Sequence, residues 1–201
     1  MVDFHIENEC RAKGFAAVCG IDEAGRGPYA GPVYAAAVML PRDCYILGLN
    51  DSKKLTAKQR ERLLPVIEET AISIGIGSAT VEEIDDINIL QATFLAMRRA
   101  VAAMPVPPDF ALVDGNQVPP GLGAPVRCVI HGDALSASIA AASVIAKVTR
   151  DRYMIEMSEK YPEYDFAHNK GYGSVAHRTA IGKYGLCEIH RKSYNYDKAI
   201  R

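Results

Sequence analysis

The sequence predicts a mixed α/β sheet, and three observations carry that prediction. Two short apolar runs near the N-terminus flank a turn crowded with glycine and proline, so the first two strands should form a hairpin. Farther along, apolar runs alternate with stretches of helical period, as when strands are joined through helices. The 201 residues are 49% apolar and 23% charged, which suits one domain with a proper core and excludes the disordered and fibrous classes.

The elements follow in order. Phe15 to Ile21 is expected as the first strand, delivering Asp22 and Glu23 at its end. Gly25, Gly27, Pro28, Gly31 and Pro32 make the turn, and Val33 to Leu40 is the second strand. Thr56 N-caps a helix reaching about Thr70, with Arg60, Glu61 and Arg62 outward, and Ala71 to Ala79 alternates as a third strand. Ile87, Leu90, Phe94, Met97, Val101 and Met104 recur at steps of three and four, which predicts a helix with one apolar stripe that Pro105 stops.

Asp109 to Val113 reads as a buried strand ending on Asp114, Gly115 and Asn116. Pro125 to Ile130 is another, ending at His131, Gly132 and Asp133. Asp133 then opens a long helix, Leu135 to about Tyr161, whose first half is almost all small and can lie close to a sheet. Lys147 and Arg150 are expected as surface charges of that helix. Gly171, Gly173, Gly182 and Gly185 break the remainder into short helices and loops packed beside the main layer.

Charge is balanced in total, 23 basic against 24 acidic residues, but not along the chain. From Phe166 to Arg201 there are seven Lys/Arg (Lys170, Arg178, Lys183, Arg191, Lys192, Lys198 and Arg201) against Glu188 and Asp197. Such a basic tail beside an acidic body suits local binding of a polyanion, and equally suits a plain solvated surface. The longest fully apolar stretch, Val33 to Leu40, is far short of the ~20 residues that span a bilayer. Residues 1–14 lack the basic and apolar regions of a secretory signal, so the expected location is the cytoplasm. Cys10, Cys19, Cys44, Cys128 and Cys187 form no C-x-x-C pair, which suits reduced thiols rather than disulfides or zinc.

Chemistry concentrates where strands end. Asp22 with Glu23, then Asp114, then Asp133 occupy successive strand ends, the place where ligand groups gather in open α/β sheets. Carboxylates so crowded repel one another unless cations lie between them, which predicts a metal site. All-oxygen ligation suits Mg²⁺ or Mn²⁺, and two such ions about 4 Å apart can activate a water and stabilise the leaving oxygen in phosphodiester hydrolysis. Taken singly, Asp133 is as well explained as a helix N-cap, Asp114-Gly115-Asn116 as a turn, and Asp22 and Glu23 as solvated loop acids. Gly25-Arg26-Gly27 is not a dinucleotide fingerprint, since a strand and not a helix should follow it. The turn instead exposes backbone groups to a ligand, with Arg26 placed to pair a phosphate.

Several motifs together resemble the bacterial ribonuclease HII family. They are GIDEAGRGPYAGPV from Gly20 to Val33, DSKKL from Asp51 to Leu55, LVDGN from Leu112 to Asn116, Gly132-Asp133, IAAASVIAKVTRD from Ile139 to Asp151, KGYG from Lys170 to Gly173 and HRKS from His190 to Ser193. The resemblance spans about Val18 to Tyr194. It implies a ribonuclease H-like mixed five-stranded sheet flanked by helices, with residues 1–165 as the catalytic domain and 166–201 as a helical basic extension completing the substrate site. It also implies an endonuclease that cuts 5′ to a ribonucleotide in RNA:DNA hybrids and in duplex DNA with embedded ribonucleotides, using two Mg²⁺ or Mn²⁺ ions.

By position, Asp22, Glu23, Asp114 and Asp133 match the family's catalytic, metal-binding carboxylates. Gly25, Arg26 and Gly27 match the loop that reads the ribose 2′-OH, and Tyr172 matches the tyrosine that packs on the next deoxyribose. Ser52, Lys53 and the basic tail would hold phosphates, fixing register without reading sequence. A monomer is expected. The chain departs from the family's usual residues at His131 (usually Lys), Asn169 (commonly His), Ser174 (commonly Thr) and Tyr194 (usually Phe).

Overall fold

The computed structural model describes residues 2–42 and 44–196. Its sheet contains β1 (Val18–Ala24), β2 (Val33–Met39), β3 (Ser73–Ala79), β4 (Phe110–Asp114) and β5 (Val126–Val129), in the spatial order β3-β2-β1-β4-β5. β1 and β2 form the expected antiparallel hairpin and β3 adds to it antiparallel, whereas β4 and β5 run parallel to β1. This is the mixed five-stranded sheet that the sequence predicts. β1 begins later than expected, at Val18, because Asp109 captures the N–H groups of Ala16 and Ala17 with its carboxylate at 2.7 and 2.9 Å. It also runs on through Asp22 and Glu23, so both acids lie within the strand.

Helices cover both faces. On one, α3 (Val81–Ala102) packs Ala92, Phe94, Ala96 and Met97 on Ile21, Ala35 and Ala37. On the other, α2 (Ala57–Thr70) and α4 (Ala137–Lys160) pack Leu64, Ile67, Ala141 and Ile145 on Ala36 and Val38. The small residues of α4 do bring its axis close to the sheet, and β1 contributes to the approach. A Cβ added at Gly20 would lie 2.2 Å from Ile139 N, so any side chain there would push the helix off. Thr56 caps α2 as predicted, in a capping box with Gln59.

Three expectations need correction. The stripe from Ile87 lies on a helix that starts earlier and is broken at Asn88 (φ 67°), whose Oδ1 accepts the N–H groups of Leu90 and Gln91 and so caps the second segment. Asp133 does not open α4. It sits in a separate 3₁₀ turn, Gly132–Ala134, and Ser136 caps the helix through Ile139 N. Arg150 is fully buried rather than a surface charge of α4.

An unpredicted helix, α1 (His5–Ala12), precedes the sheet and buries Ile6, Cys10 and Glu7. The Glu7 carboxylate accepts Ser136 Oγ–H at 2.6 Å and Ser138 N–H at 2.8 Å, tying α1 to the start of α4. After α4 come a 3₁₀ turn (Pro162–Tyr164), α5 (Phe166–Asn169) and α6 (Val175–Tyr184). Tyr164, Phe166, Ile181 and Ile189 pack against Ala30, Val81 and Met154. The tail charges Asp197, Lys198 and Arg201 lie outside the described residues. Cys10, Cys19, Cys128 and Cys187 form no disulfide, and no helix among the described residues is long and apolar enough to cross a membrane.

Candidate active site

Strand period decides how the acids are presented. Successive side chains on β1 face opposite sides of the sheet, so Asp22 shares the α4 side with Gly20 while Glu23 shares the α3 side with Ile21. β4 runs parallel beside β1 with Ile21 paired to Val113, which sets Asp22 and Asp114 side by side on the same face. After β5 the chain reverses at His131, held in the left-handed region at φ 56°, and the 3₁₀ turn brings in Asp133. One carboxylate oxygen from each of Asp22, Asp114 and Asp133 lies within 4.8 Å of the others. Glu23 stands outside that trio. It flanks it from the α3 side, 3.3 Å from Arg26 and lining a small cavity with Leu90, Phe94 and Asn116.

Electrostatics reflect the crowding. Asp22 is 4% exposed, and burial pushes its pKa well above the ordinary carboxylate value, with the charges of Glu23 and Asp114 adding to the rise. The Glu23 N–H, donating to Asp22 Oδ1 at 2.7 Å, and Lys53 oppose it only partly. Asp114 is raised by burial and by Asp133, against the Gly132 N–H bonded to its Oδ1 at 2.8 Å. Burial raises Glu23 as well, with Arg26 in opposition. Carboxylates forced to share a proton-favouring, all-oxygen pocket are what a hard divalent cation stabilises, so the trio fits such an ion. Lys53 Nζ sits 3.1 Å from Asp133 Oδ2 and neutralises part of the charge.

The predicted substrate residues gather around the same place. Every sequence-predicted site residue except Asp133 lines one cleft of about 180 Å³, and Asp133 joins it through Lys53 and the trio. Lys147, expected as a surface charge of α4, instead lines this cleft, paired with Asp151 at 2.6 Å. Tyr172 is 47% exposed, with its ring edge 3.5 Å from where a Cβ on Gly27 would stand. A strand follows Gly31, as expected of a turn that is not a dinucleotide fingerprint.

That turn is fastened from behind by groups the sequence did not reveal. Gly25 has φ +103°, and a Cβ there would lie 2.1 Å from Arg150 Nε, so only glycine fits. Arg150 donates to the carbonyls of Pro32, Ala30 and Lys170 at 3.1, 3.0 and 3.0 Å. Arg191 donates to Gly31 O and Arg26 O at 3.0 and 2.9 Å and also to Gly25 O. The Tyr194 hydroxyl donates to Arg26 O at 2.8 Å and accepts from Arg191 Nη1. Asn169 spends its side chain internally, donating to Tyr164 O at 2.6 Å and accepting Gly171 N–H at 2.7 Å.

The family model described as Ribonuclease HII matches residues 19–196. A ribonuclease HII from Acetivibrio thermocellus is 53% identical over 188 residues, covering 94% of this chain and 73% of its own. Among solved structures, the ribonuclease H2 from Pyrococcus horikoshii OT3 matches with a TM-score of 0.74 at 30% identity, covering 92% of this chain and 97% of that one. The RNase HII in a PCNA complex from Archaeoglobus fulgidus matches with a TM-score of 0.71 at 25% identity, over 90% of this chain and 96% of that one.

Proposed function

The chain belongs to the ribonuclease HII family, and from that premise we propose that this ribonuclease H cuts the phosphodiester 5′ to a ribonucleotide, in RNA:DNA hybrids and in duplex DNA with embedded ribonucleotides, leaving 3′-OH and 5′-phosphate ends. Removal of ribonucleotides from DNA is the corresponding role. The single observation that carries the reading is the convergence of Asp22, Asp114 and Asp133 at a cleft that the Gly25–Gly27 turn also lines. The fold, the cleft and the family agree on phosphodiester hydrolysis.

We assign the metal-binding carboxylates as Asp22, Asp114 and Asp133, with Glu23 completing the set from its own side of β1. Two Mg²⁺ or Mn²⁺ ions bound there would supply Lewis-acid chemistry, activating water and stabilising the leaving oxygen. The protein's own groups then have distinct tasks. Backbone groups of Gly25, Arg26 and Gly27, exposed by the turn, reach the 2′-OH, the one group that marks the target nucleotide. Arg26, Ser52 and Lys53 hold phosphates, which fixes register without sequence preference. The exposed ring of Tyr172, in contact range of Gly27, packs on the following sugar and rejects a second 2′-OH by contact.

We assign residues 166–196 to an extension that completes this site on the catalytic body, since Tyr172 comes from it and the carboxylates do not. A cytoplasmic monomer is the working form that goes with this proposal. The test is cleavage of a duplex carrying one embedded ribonucleotide, with Mg²⁺, with Mn²⁺ and with EDTA. Metal-dependent cutting 5′ to the ribonucleotide, lost in Asp114→Asn, is the expected result. Binding without product, unchanged by chelator, would leave only a nucleic-acid-binding module.

A further inference from the structure

Behind Tyr172 runs a chain of hydrogen bonds through two fully buried histidines, the second of which is the residue next to Arg191. His177 Nδ1 lies 2.9 Å from the Tyr172 carbonyl oxygen. A carbonyl only accepts, so Nδ1 carries the proton and Nε2 keeps a lone pair. His190 Nε2, 3.0 Å from that lone pair, is therefore the donor, which makes His190 Nδ1 an acceptor. It is used as one: the Cys187 N–H donates to it at 2.9 Å. Each tautomer is fixed by its neighbour, and Tyr164 and Phe166 pack around the rings.

The same stretch of chain is fixed to the glycine turn. Gly31 N–H donates to Ile189 O at 2.8 Å and Arg191 N–H to Tyr29 O at 2.9 Å, while the Arg191 side chain holds Gly25 and Arg26. His190 and Arg191 are thus consecutive residues serving different pieces of the cleft, one reaching Tyr172 and the other the turn. Tyr172 is also exposed and close to Gly27, so its backbone needs a support of this kind to stay at one distance.

We propose that His177 and His190 are positioning residues for substrate selection, their neutral relay holding Tyr172 at a set distance from the Gly25–Gly27 turn so that the enzyme accepts a ribose at one nucleotide and a deoxyribose at the next. This rests on the junction-reading role given to Tyr172 above. The relay touches neither substrate nor metal ligands. It acts on which duplex is cut rather than on the cutting step.

The informative pair is His190→Leu, which fills similar space without a donor, and His190→Gln, whose amide N–H can still reach His177 Nε2. The readout is the ratio of kcat/KM on a duplex with one embedded ribonucleotide to that on a uniform RNA:DNA hybrid, with Tyr172→Ala measured alongside. His190→Leu should lower the ratio about tenfold, the worth of roughly one hydrogen bond, and His190→Gln should restore most of it. Equal losses on both substrates, or no rescue by His190→Gln, overturn the relay. If Tyr172→Ala lowers the ratio and His190→Leu leaves it intact, the relay alone falls. If Tyr172→Ala leaves the ratio unchanged, the junction reading falls and the relay with it. Should the variants fail to fold, long-range ¹⁵N–¹H spectra of the unaltered protein decide: protons on His177 Nδ1 and His190 Nε2 are required, and the opposite tautomers overturn the proposal.

Discussion

Arg150 and Arg191 are tied to one stretch of backbone, Arg150 through the carbonyls of Ala30 and Pro32 and Arg191 through those of Gly25, Arg26 and Gly31. Both are fully buried, and among the described residues neither forms an ion pair. Burial pulls the Arg150 guanidinium down to about 10, with the charge of Arg191 adding to the fall, and Arg191 is lowered for the same first reason. Carbonyl dipoles converging on two cations offset that cost, so the turn keeps one shape before any substrate arrives.

Arg191→Lys tests this directly. The ammonium retains the charge but cannot fork over several carbonyls at once, leaving at least one buried acceptor unpaired at a cost of about 1–3 kcal/mol. We expect a lower denaturation midpoint and a larger fall in cleavage of the embedded-ribonucleotide duplex than the stability loss explains. A variant as active and stable as the parent would show that the fastening is dispensable.

The same residues mark what could be read from sequence. Asp22, Asp114 and Asp133 are legible because apolar strand runs are local patterns and an acid follows each of them closely. Their convergence followed from sheet topology. That Glu23 faces away from Asp22 also follows from strand period, but only once β1 is seen to continue through both residues. Arg150 was misread because Lys147, Arg150 and Asp151 look like a solvated helix face, while its partners Ala30, Pro32 and Lys170 are remote in sequence. α1 is hard to read for a related reason: it has only eight residues and few apolar ones, and it is held by Ile6, Cys10 and the bonds of Glu7 to Ser136 and Ser138.

Tyr194→Phe substitutes the residue usual in the family and removes one hydroxyl. That hydroxyl bridges Arg191 Nη1 and Arg26 O, so its loss deprives both of a partner while leaving the ring in place. The expected cost is about 1 kcal/mol in chemical denaturation, with metal dependence unchanged. A loss above about 3 kcal/mol would mean that the ring itself had moved.

The histidine pair predicts the acid limb of the stability curve. Burial pulls His190 down to about 4, with the neighbouring His177 adding to the fall, and burial lowers His177 too. An unfolded histidine titrates near 6.5, so between about 4 and 6.5 the unfolded chain binds more protons than the folded one and stability rises with pH. The contribution is complete above about pH 6.5 and is lost as pH falls toward 4, amounting to about 3 kcal/mol for His190. Denaturation from pH 4.5 to 7 should show the slope, and His190→Gln should flatten it. A parallel slope in that variant would assign the acid sensitivity to other groups.

Asp22 and Glu23 are adjacent in β1 and border the same cleft, but only Asp22 belongs to the close trio, which predicts unequal consequences of removing them. Burial, then Glu23 and Asp114, hold the Asp22 pKa above its unfolded value, so without a cation this group costs stability as pH rises above the ordinary carboxylate range. A divalent ion favours the carboxylate and reverses that trend. Mg²⁺ or Mn²⁺ should therefore raise the melting temperature more at pH 8 than at pH 6, and calorimetry in buffers of different ionisation enthalpy should detect proton release on binding. Asp22→Asn removes a member of the trio and should abolish the stabilisation. Glu23→Gln, on the α3 side, should keep a measurable share of it while losing cleavage. Equal loss of cation binding in the two variants would show that Glu23 contributes to the affinity as much as Asp22, and the unequal division across β1 would not stand.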